Sequence, residues 1–387
     1  MQYKTITDGK RHATATTSMF ITEKGVSEYQ LAIQIIEQGL PFSEQLKSVF
    51  SLFNDIRENN FRNTSIVFLR IFLSDAANQV QLLSGYLPDN KYNISIIEQP
   101  PLNSTKIALW AYLQTGMKVC ENRRLSRMPG LYGVQHGRYL HLWNGTAIKP
   151  ENDSEQQMNA LLKNYIAQLK AHDCTLTENC IRTWIFVQNV DVNYAGIVKA
   201  RRELFIENGL TDKTHYIAST GINGRHADPK TIVIFDSYAV KGLKPGQIQY
   251  LHAMTHMSST SEYGVTFERG TCIRYGDRRH VFVSGTASID NKGMIVHEGD
   301  VGKQTIRMIE NVETLLREAE CGTEDIAQMI IYLRDMADYA VAGTIIGKHF
   351  PEIPKVVVLA PICRPGWLVE MECFAIKKDN NANFEPL

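Results

Sequence analysis

The chain has 387 residues, more than one average domain, so two or three modules with a large buried core are expected. Its residues are 44% hydrophobic and 21% charged, as in an ordinary soluble globular protein. Because 41 basic residues balance 41 acidic ones, the composition favours neither a nucleic-acid partner nor attachment to a membrane surface.

The seven cysteines are odd in number and form no CxxC pair, so the sequence predicts neither a disulfide framework nor a metal site. The N-terminal stretch MQYKTITDGKRHATATT lacks the apolar core of a signal peptide. No apolar run approaches the roughly 18 residues of a membrane helix. We therefore expect a cytoplasmic protein.

Apolar patterns predict strand, helix, strand, helix, strand in each third of the chain. The first third gives a helix over 41–56, a helix start at 74–75 and strands over 65–73, 93–97 and 106–113. The middle third gives strands over 138–144, 182–187 and 230–240 with helices over 154–169 and 191–208. The last third gives strands over 280–284 and 328–333, helices over 301–320 and 338–350, and closing strands within 358–376.

The repeated order of elements supports an internal triplication with modules at 1–117, 118–245 and 246–387. A chance ordering of common α/β elements is the alternative. The closing stretch of the third module, VLAPICRPGWLVEMECFAI, alternates in the manner of a strand and places Glu370 and Glu372 on one face. Carboxylates are rarely buried without partners, so this face is either solvated, paired with arginines, or carries a perturbed acid.

Aligning the last strands of the modules separates the two glutamates. Glu370 falls opposite Ile234 and Ala108, whereas Glu372 is matched by Asp236. A solvated face has no reason to be polar in one copy and apolar in two. The alignment therefore favours a functional role for Glu370 and a structural role for Glu372.

The third module resembles the RidA/YjgF family of small trimeric enamine/imine deaminases. The matching segments run in order through the module: Phe267, 283–285, 299–300, 304–305, 310–312, 331–335 and 370–372. The resemblance implies an α/β (α+β), chorismate mutase-like fold for each module. It further implies that one chain forms a monomeric pseudo-trimer, with a central β-barrel-like core, helices outside, a degenerate first module and active sites in the clefts between modules.

A closer resemblance is to the chorismatases, RidA-like enzymes that split chorismate into pyruvate and a dihydroxy-cyclohexadiene or hydroxybenzoate product. The matching residues are 219–222, 263–264, Phe267, Arg269, 284–288 and the stretch from 362 to 370. The resemblance implies that Glu370 is the general acid in the cleavage of a carboxylated enol ether. Cys363 would then stand at a catalytic position that varies with the product, and cysteine there resembles the hydroxybenzoate-forming branch. No cofactor is implied.

The candidate substrate-binding residues come from modules two and three: Arg364, Arg269, Tyr263, Phe267, Gly285, Thr286, Tyr216, Thr220, Gly221 and Arg225. Planar guanidinium groups suit the carboxylates of such a substrate. Module two is the expected partner in the cleft because its loop over 216–225 carries part of the resemblance. Arg269 as an ion pair, Arg225 as a solvated residue and Cys363 as a packing residue remain alternatives.

Two departures from these families leave the substrate open. Residues 263–267 lack an arginine that chorismatases carry there, and Lys355 stands where RidA enzymes hold the arginine that clamps a substrate carboxylate. A RidA-like deaminase and a small-molecule binder without activity are therefore the alternative functions. A ribonuclease role has no basic patch or aromatic platform to support it.

Overall fold

Three six-stranded sheets follow one another along the chain. The computed structural model of the protein describes residues 1–23, 25–87, 92–120 and 131–387. The first sheet has the order β1-β2-β3-β6-β4-β5. Its elements are β1 Gln2–Asp8, β2 Ala13–Phe20, β3 Glu28–Ile35, α1 Phe42–Asn59, β4 Thr64–Leu73, α2 Ala76–Ser84, β5 Asn93–Glu98 and β6 Ile107–Thr115.

The second and third sheets repeat this order of strands, as β7-β8-β9-β12-β10-β11 and β13-β14-β15-β18-β16-β17. The second module contains β7 Lys118–Cys120, β8 Tyr132–His136, β9 Tyr139–Ala147, α3 Ser154–Ala171, α4 Leu176–Asn179, β10 Cys180–Val187, α5 Val190–Glu207, β11 Ala218–Asn223 and β12 Val233–Lys241. The third contains β13 Ile248–Leu251, β14 Gly270–Arg274, β15 Arg278–Ala287, α6 Val301–Glu318, β16 Ile326–Leu333, α7 Tyr339–His349, β17 Lys355–Leu359 and β18 Val369–Lys378.

The pairing register shows that the modules are copies of one design. Glu370 pairs with Tyr332 in the third sheet, Ile234 pairs with Phe186 in the second, and Ala108 pairs with Phe72 in the first. Each central pair of strands also has a register shift at the equivalent place, after Ile66, Cys180 and Ile326. The internal triplication is therefore present in the fold.

Helix starts follow local sequence signals. The side chains of Asp75, Asp153 and Asp300 each accept a hydrogen bond from the backbone N–H three residues later, which caps α2, α3 and α6. The long helices cover one face of each sheet. On α1, for example, Leu46, Val49 and Phe53 are buried in the same cluster as strand residues of the first sheet.

The other faces of the three sheets meet in a shared core. Phe68 of module one lies 5.5 Å from Trp143 of module two, measured between ring centroids. The rings of Tyr238 and Phe282 join modules two and three at 5.4 Å, and those of Tyr112 and Phe374 join modules one and three at 5.9 Å. The expected arrangement of three RidA-like modules around a common centre, with helices outside, is confirmed.

Buried charges tie the modules together on both sides of these rings. Arg70 of module one donates to Asp236 of module two at 2.9 Å and approaches Glu372 of module three at 3.7 Å. Arg182 of module two donates to the same Glu372 at 2.7 Å. All four side chains are buried, so each charge depends on a partner from another module.

A second buried cluster centres on Glu28 in β3. Its carboxylate accepts from Arg278 at 2.6 Å and contacts His280 at 2.8 Å, both from module three, and Tyr112 also donates to it. Burial alone would raise the pKa of Glu28, but the charges of His280 and Arg278 hold it well below its ordinary value. The carboxylate is therefore ionised inside the protein.

None of the helices in the described ranges is both long and apolar enough to cross a membrane.

We predict that Glu28→Gln destabilises the chain by about 3 kcal/mol, because it breaks a buried ion pair and leaves the Arg278 charge with one carboxylate partner, Asp277. Urea unfolding at neutral pH measures the loss. Glu155→Gln is the control, since Glu155 pairs with Lys199 at the exposed surface and its loss should hardly move the midpoint. Equal midpoints for the Glu28 variant and wild type would contradict the importance of this cluster.

Candidate active site

A cavity of about 590 Å³ opens between modules two and three. Strand β11 of module two contributes Ser219 and Gly221 to one wall. One edge of β11 pairs with β10, and its free edge contacts module three near both ends. Ala218 bridges Glu268, and Ile222 bridges Ile362. Helix α5 of module two contributes Tyr194, Arg201 and Arg202 to the lining, so both modules are needed to enclose the space. Module two is therefore the partner of module three in this cleft, as expected.

The structure brings most of the predicted residues to this cavity. Among the residues suggested by sequence, those that line it are Glu370, Cys363, Arg364, Arg269, Phe267, Gly285 and Gly221. They come from β18, from the loop before it, from the segment preceding β14, from β15 and from β11. Residues more than 140 positions apart in the chain thus meet at one place.

Glu370 lies in the wall of this cavity and is only 4% exposed. Burial, with the neighbouring Glu372 charge, raises the pKa of Glu370 to about 8, although Arg182 and Arg269 act in the opposite direction. No hydrogen bond from the described residues reaches its carboxyl group. The raised pKa favours the protonated carboxyl group at neutral pH, and the side chain lies in the cavity wall.

Gly285 sets the distance between β15 and the acid. The ladder between β15 and β18 shifts register between Val283 and Thr286, which places Gly285 against Glu370. A Cβ atom on Gly285 would stand 2.2 Å from Oε1 of Glu370, a distance that no side chain could occupy. Glycine at 285 is thus required for the acid to keep this position.

Glu372, two residues further along β18, has a different environment. Its carboxylate accepts hydrogen bonds from Arg182, Thr220 and the indole nitrogen of Trp184. It is 4% exposed and contacts residues of both other modules. A solvated face for the two glutamates is therefore wrong, and Glu372 lies in the buried ion cluster.

Arg201, which the sequence analysis missed, is a buried guanidinium in the lining. It is 2% exposed, its Nε donates to Thr266 at 3.1 Å, and its Nη1 donates to Ser219 at 3.4 Å. Its Nη2 has no hydrogen-bond partner among the described residues. Since Arg201 is one of several charged positions on α5, nothing in the sequence distinguished it from a surface residue.

Cys363 lines the cavity beside Tyr194, whose hydroxyl group forms a hydrogen bond with the thiol. Burial, together with the nearby Glu370, raises the pKa of Cys363 to about 12. The thiol is therefore protonated at neutral pH, which argues against a thiolate nucleophile. The ring of Tyr194 packs against Gly221, where there is no Cβ atom. A Cβ atom at this position would stand 2.8 Å from the ring.

Four predicted binding residues lie elsewhere. Arg225 pairs with Glu98 of module one at 3.0 Å, which keeps its guanidinium outside the cavity. Thr286 is buried and donates to the carbonyl of Ser284, and Thr220 lies behind the wall, where it donates to Glu372 and accepts from the N–H of Gly285. Tyr216 lines two neighbouring grooves instead. None of these four side chains is among the residues that line the cavity, where the sequence had led us to expect direct contact with a ligand.

Tyr263 and Lys355 are the remaining positions that the sequence singled out. The side chain of Tyr263 lies outside the part of the chain that the structure describes. Lys355 donates from Nζ to the carbonyls of Phe350 and Ile353, at 2.6 and 3.4 Å, and is absent from the cavity lining. Within the described ranges, no group of three or more His, Cys, Asp or Glu side chains is arranged to hold a metal ion.

The raised pKa of Glu370 predicts a pH-dependent effect of Glu370→Gln on stability. Below about pH 4.5 the carboxyl group is protonated in the folded and the unfolded chain, so it contributes no difference. Between that pH and about 8, unfolding releases the proton and wild type loses stability as the pH rises. The glutamine variant has no such proton, so it should become more stable than wild type by an amount on the order of a few kcal/mol at pH 9.

Urea unfolding of both chains at pH 4 and pH 9 measures this effect. Glu58→Gln, at an exposed position on α1, is the control and should show no comparable change with pH. A stability difference between wild type and Glu370→Gln that is the same at both pH values would contradict a protonated Glu370.

Comparisons with known proteins identify the family. A model of the endoribonuclease L-PSP family matches residues 272–377. A RutC family protein of Pyrococcus abyssi is 32% identical over 100 residues, which is 25% of this chain and 79% of the relative. The 3-aminoacrylate deaminase RutC of Acinetobacter baylyi is 31% identical over 97 residues, covering 24% of this chain and 77% of the relative.

A solved structure described as a chorismatase resembles the whole chain, with a TM-score of 0.64 over 92% of this chain and 100% of that one. Its sequence identity of 15% means that this likeness establishes a shared fold and no more. The identity to the curated relatives establishes the family, and this chain belongs to the RutC family within the RidA/YjgF superfamily.

Proposed function

We propose that the protein is a chorismatase-like enzyme that cleaves the enol ether of chorismate or a related dicarboxylate, with Glu370 as the general acid. The observation that carries the proposal is a buried carboxyl group, protonated at neutral pH, in the wall of a cavity rich in arginine. The fold shared with a chorismatase over 92% of the chain supports it.

The protonation state of Glu370 favours an acid over a base. An enol ether breaks after a proton reaches its terminal carbon, so the catalyst must donate at working pH. A carboxyl group with a pKa of about 8 retains its proton at pH 7. A base that activates water would instead have to be ionised, which this site disfavours.

Arginines supply the sites for the substrate carboxylates. The buried Nη2 of Arg201, which lacks a protein partner in the described structure, can donate to a carboxylate in the cavity. Arg364 lines the same cavity with its guanidinium 5.0 Å from the centre of the Trp367 ring, and Arg269 lies 5.6 Å from that of Phe267. Stacking on aromatic rings orients these guanidinium groups.

The cavity has the dimensions of a site for a ring-sized ligand. Its 590 Å³ falls in the middle of the usual range for small-molecule pockets, about 300–1,000 Å³. Phe267, Ala287, Ile289 and Trp367 provide apolar lining for the body of the ligand, while the arginines hold its charged groups. A cyclic dicarboxylate fits this combination.

The proposed reaction moves one proton in and returns one. The carboxyl proton of Glu370 forms a new C–H bond at the terminal methylene carbon of the enolpyruvyl group, and the alkene electron pair is used in that bond. The resulting oxocarbenium ion is captured by water or by a hydroxyl group of the ring, whose proton returns to the Glu370 carboxylate. After capture by water, the hemiketal carbon breaks its bond to the ring oxygen, the hemiketal O–H proton passes to that oxygen, and pyruvate and the ring alcohol leave.

A RidA-like imine deaminase is the second candidate, because the curated relatives include a 3-aminoacrylate deaminase. At the position of the RidA clamp arginine, however, Lys355 binds backbone carbonyls away from the cavity. Burial also lowers the pKa of Lys355. The site therefore offers no cation at that position, and the chorismatase-like reaction is the better supported of the two.

We predict that the purified protein releases pyruvate from chorismate and that Glu370→Gln abolishes the release. Glutamine keeps the size of the side chain but has no acidic proton, so the chemical step fails while the fold remains. Pyruvate is measured by coupled reduction with lactate dehydrogenase, and thermal unfolding checks the variant. Wild type that gives no pyruvate above background would contradict the proposal, and turnover of 2-aminoacrylate-type imines would then favour the deaminase.

We predict that Arg201→Met raises the KM for chorismate by about 10- to 100-fold with a smaller effect on kcat, because charge-assisted hydrogen bonds to the bound carboxylate are lost. Steady-state kinetics measure the change. Arg317→Met, at an exposed position on α6, is the matched control and should behave as wild type. An unchanged KM in a folded Arg201 variant would contradict the assignment of Arg201 to carboxylate binding.

A further inference from the structure

We propose that Glu372 is a positioning residue that keeps the adjacent Glu370 in its protonated form, and that arginines from modules one and two hold Glu372 in this role. The proposal rests on the proposed function of Glu370 as an acid and extends it to a residue outside the cavity lining. It also gives module one a part in the chemistry, although none of the described residues that line the cavity belongs to that module.

The two carboxyl groups compete for one proton. Glu370 and Glu372 lie on the same face of β18, two residues apart, and both are almost fully buried. Two neighbouring carboxyl groups in a site shielded from water do not both ionise readily, so the better stabilised one carries the charge.

Hydrogen-bond donors decide which group that is. Glu372 accepts from Arg182 at 2.7 Å and from Trp184 at 2.9 Å, and the hydroxyl of Thr220 also donates to it. Arg70 lies 3.7 Å away on the side of module one. Glu370 receives no hydrogen bond from the described residues. The hydrogen bonds therefore stabilise a carboxylate at Glu372 and not at Glu370.

Other charged groups around the two glutamates also raise or lower the pKa of Glu370. The charged or titratable side chains that surround it or line the same cavity are Arg70 of β4, Arg182 of β10, Tyr332 of β16, Arg269 before β14, Tyr194, Lys199, Arg201, Arg202 and Glu203 of α5, and Cys363 and Arg364 of the loop before β18. The arginines favour ionisation of Glu370, whereas the Glu372 charge opposes it. Among the charges that act on the pKa of Glu370, that of Glu372 favours the protonated acid, against Arg182 and Arg269.

Thr220 connects the cluster to the wall of the site. Its hydroxyl oxygen, which donates to Glu372, accepts from the backbone N–H of Gly285 at 2.9 Å. Gly285 in turn lies directly against Oε1 of Glu370. The same carboxylate therefore fixes both the charge next to the acid and the strand that faces it.

The test compares pH–rate profiles for pyruvate release. In Glu372→Gln the negative charge next to Glu370 is lost while the arginines stay, so the pH at which the rate falls by half on the alkaline side should move down by about one unit or more. Glu372→Asp retains the charge and should move the profile back toward wild type. A folded Glu372→Gln chain with the wild-type profile would overturn the proposal.

Asp236→Asn is the matched control. Asp236 occupies the position of Glu372 in module two, is equally buried and pairs with Arg70 at 2.9 Å, but its neighbour two residues earlier is Ile234. Its loss removes a buried charge from the same ion cluster, at a position whose neighbour on the same face of the strand is apolar. The variant should lose stability, but the pH at which its rate falls by half on the alkaline side should stay that of wild type. A shift of this pH equal to that of Glu372→Gln would overturn the specific role of Glu372.

A measurement without substrate separates this inference from the proposed function. With ¹³C at the side-chain carboxyl carbons of glutamate, the signal that disappears in Glu370→Gln should be that of a protonated carboxyl group at pH 7. It should ionise at lower pH in Glu372→Gln. This result would stand even if chorismate is not the substrate. A Glu370 signal that is already ionised at pH 7 in wild type would overturn the inference, and this test does not require the Glu372 variant to fold.

Discussion

The buried ion cluster of Arg70, Arg182, Asp236 and Glu372 is the constraint on which the rest of the structure depends. Each of the three modules contributes at least one of these charges, and each charge has its partner in another module. Separating or sliding two modules would leave a charge buried without a partner, which is far more costly than losing an exposed pair. The cluster therefore fixes how β11 of module two lies against β15 of module three, and so fixes the width of the cavity between them.

The three modules repeat the same pairing of strands, and their sequences have diverged at the position of Glu370. Where the third module has Glu370, the others have Ile234 and Ala108, which are buried in the central core. Gly145, at the position in module two that corresponds to Gly285, has the backbone of Ile94 where a Cβ would stand. A covalent trimer can concentrate chemistry in one cleft in this way, because its copies are free to differ. Separate identical subunits must carry the same residue at all three sites.

The sequence predicted the helices, the central strands and Glu370, because these depend on local apolar periodicity and on comparison between copies. It did not predict β1, β2, β3, β7, β8, β11, β13 or β14. In β2, for example, polar threonines alternate with small residues and leave no strong apolar signal. Arg225 was placed in the site by its sequence neighbours, yet its partner Glu98 comes from module one. Arg201 was missed for the complementary reason: its burial results from packing of α5 against module three, which no local pattern encodes.

The central claim is that one chain carries one active site, between modules two and three, with residue 370 at the reacting atoms. A crystal structure of Glu370→Gln with bound chorismate tests it most directly. The account predicts a single chorismate molecule per chain, with a carboxylate on Arg201 and the methylene carbon of the enolpyruvyl group next to the residue 370 side chain. Chorismate bound instead at another module interface, or with its enol ether away from residue 370, would contradict it.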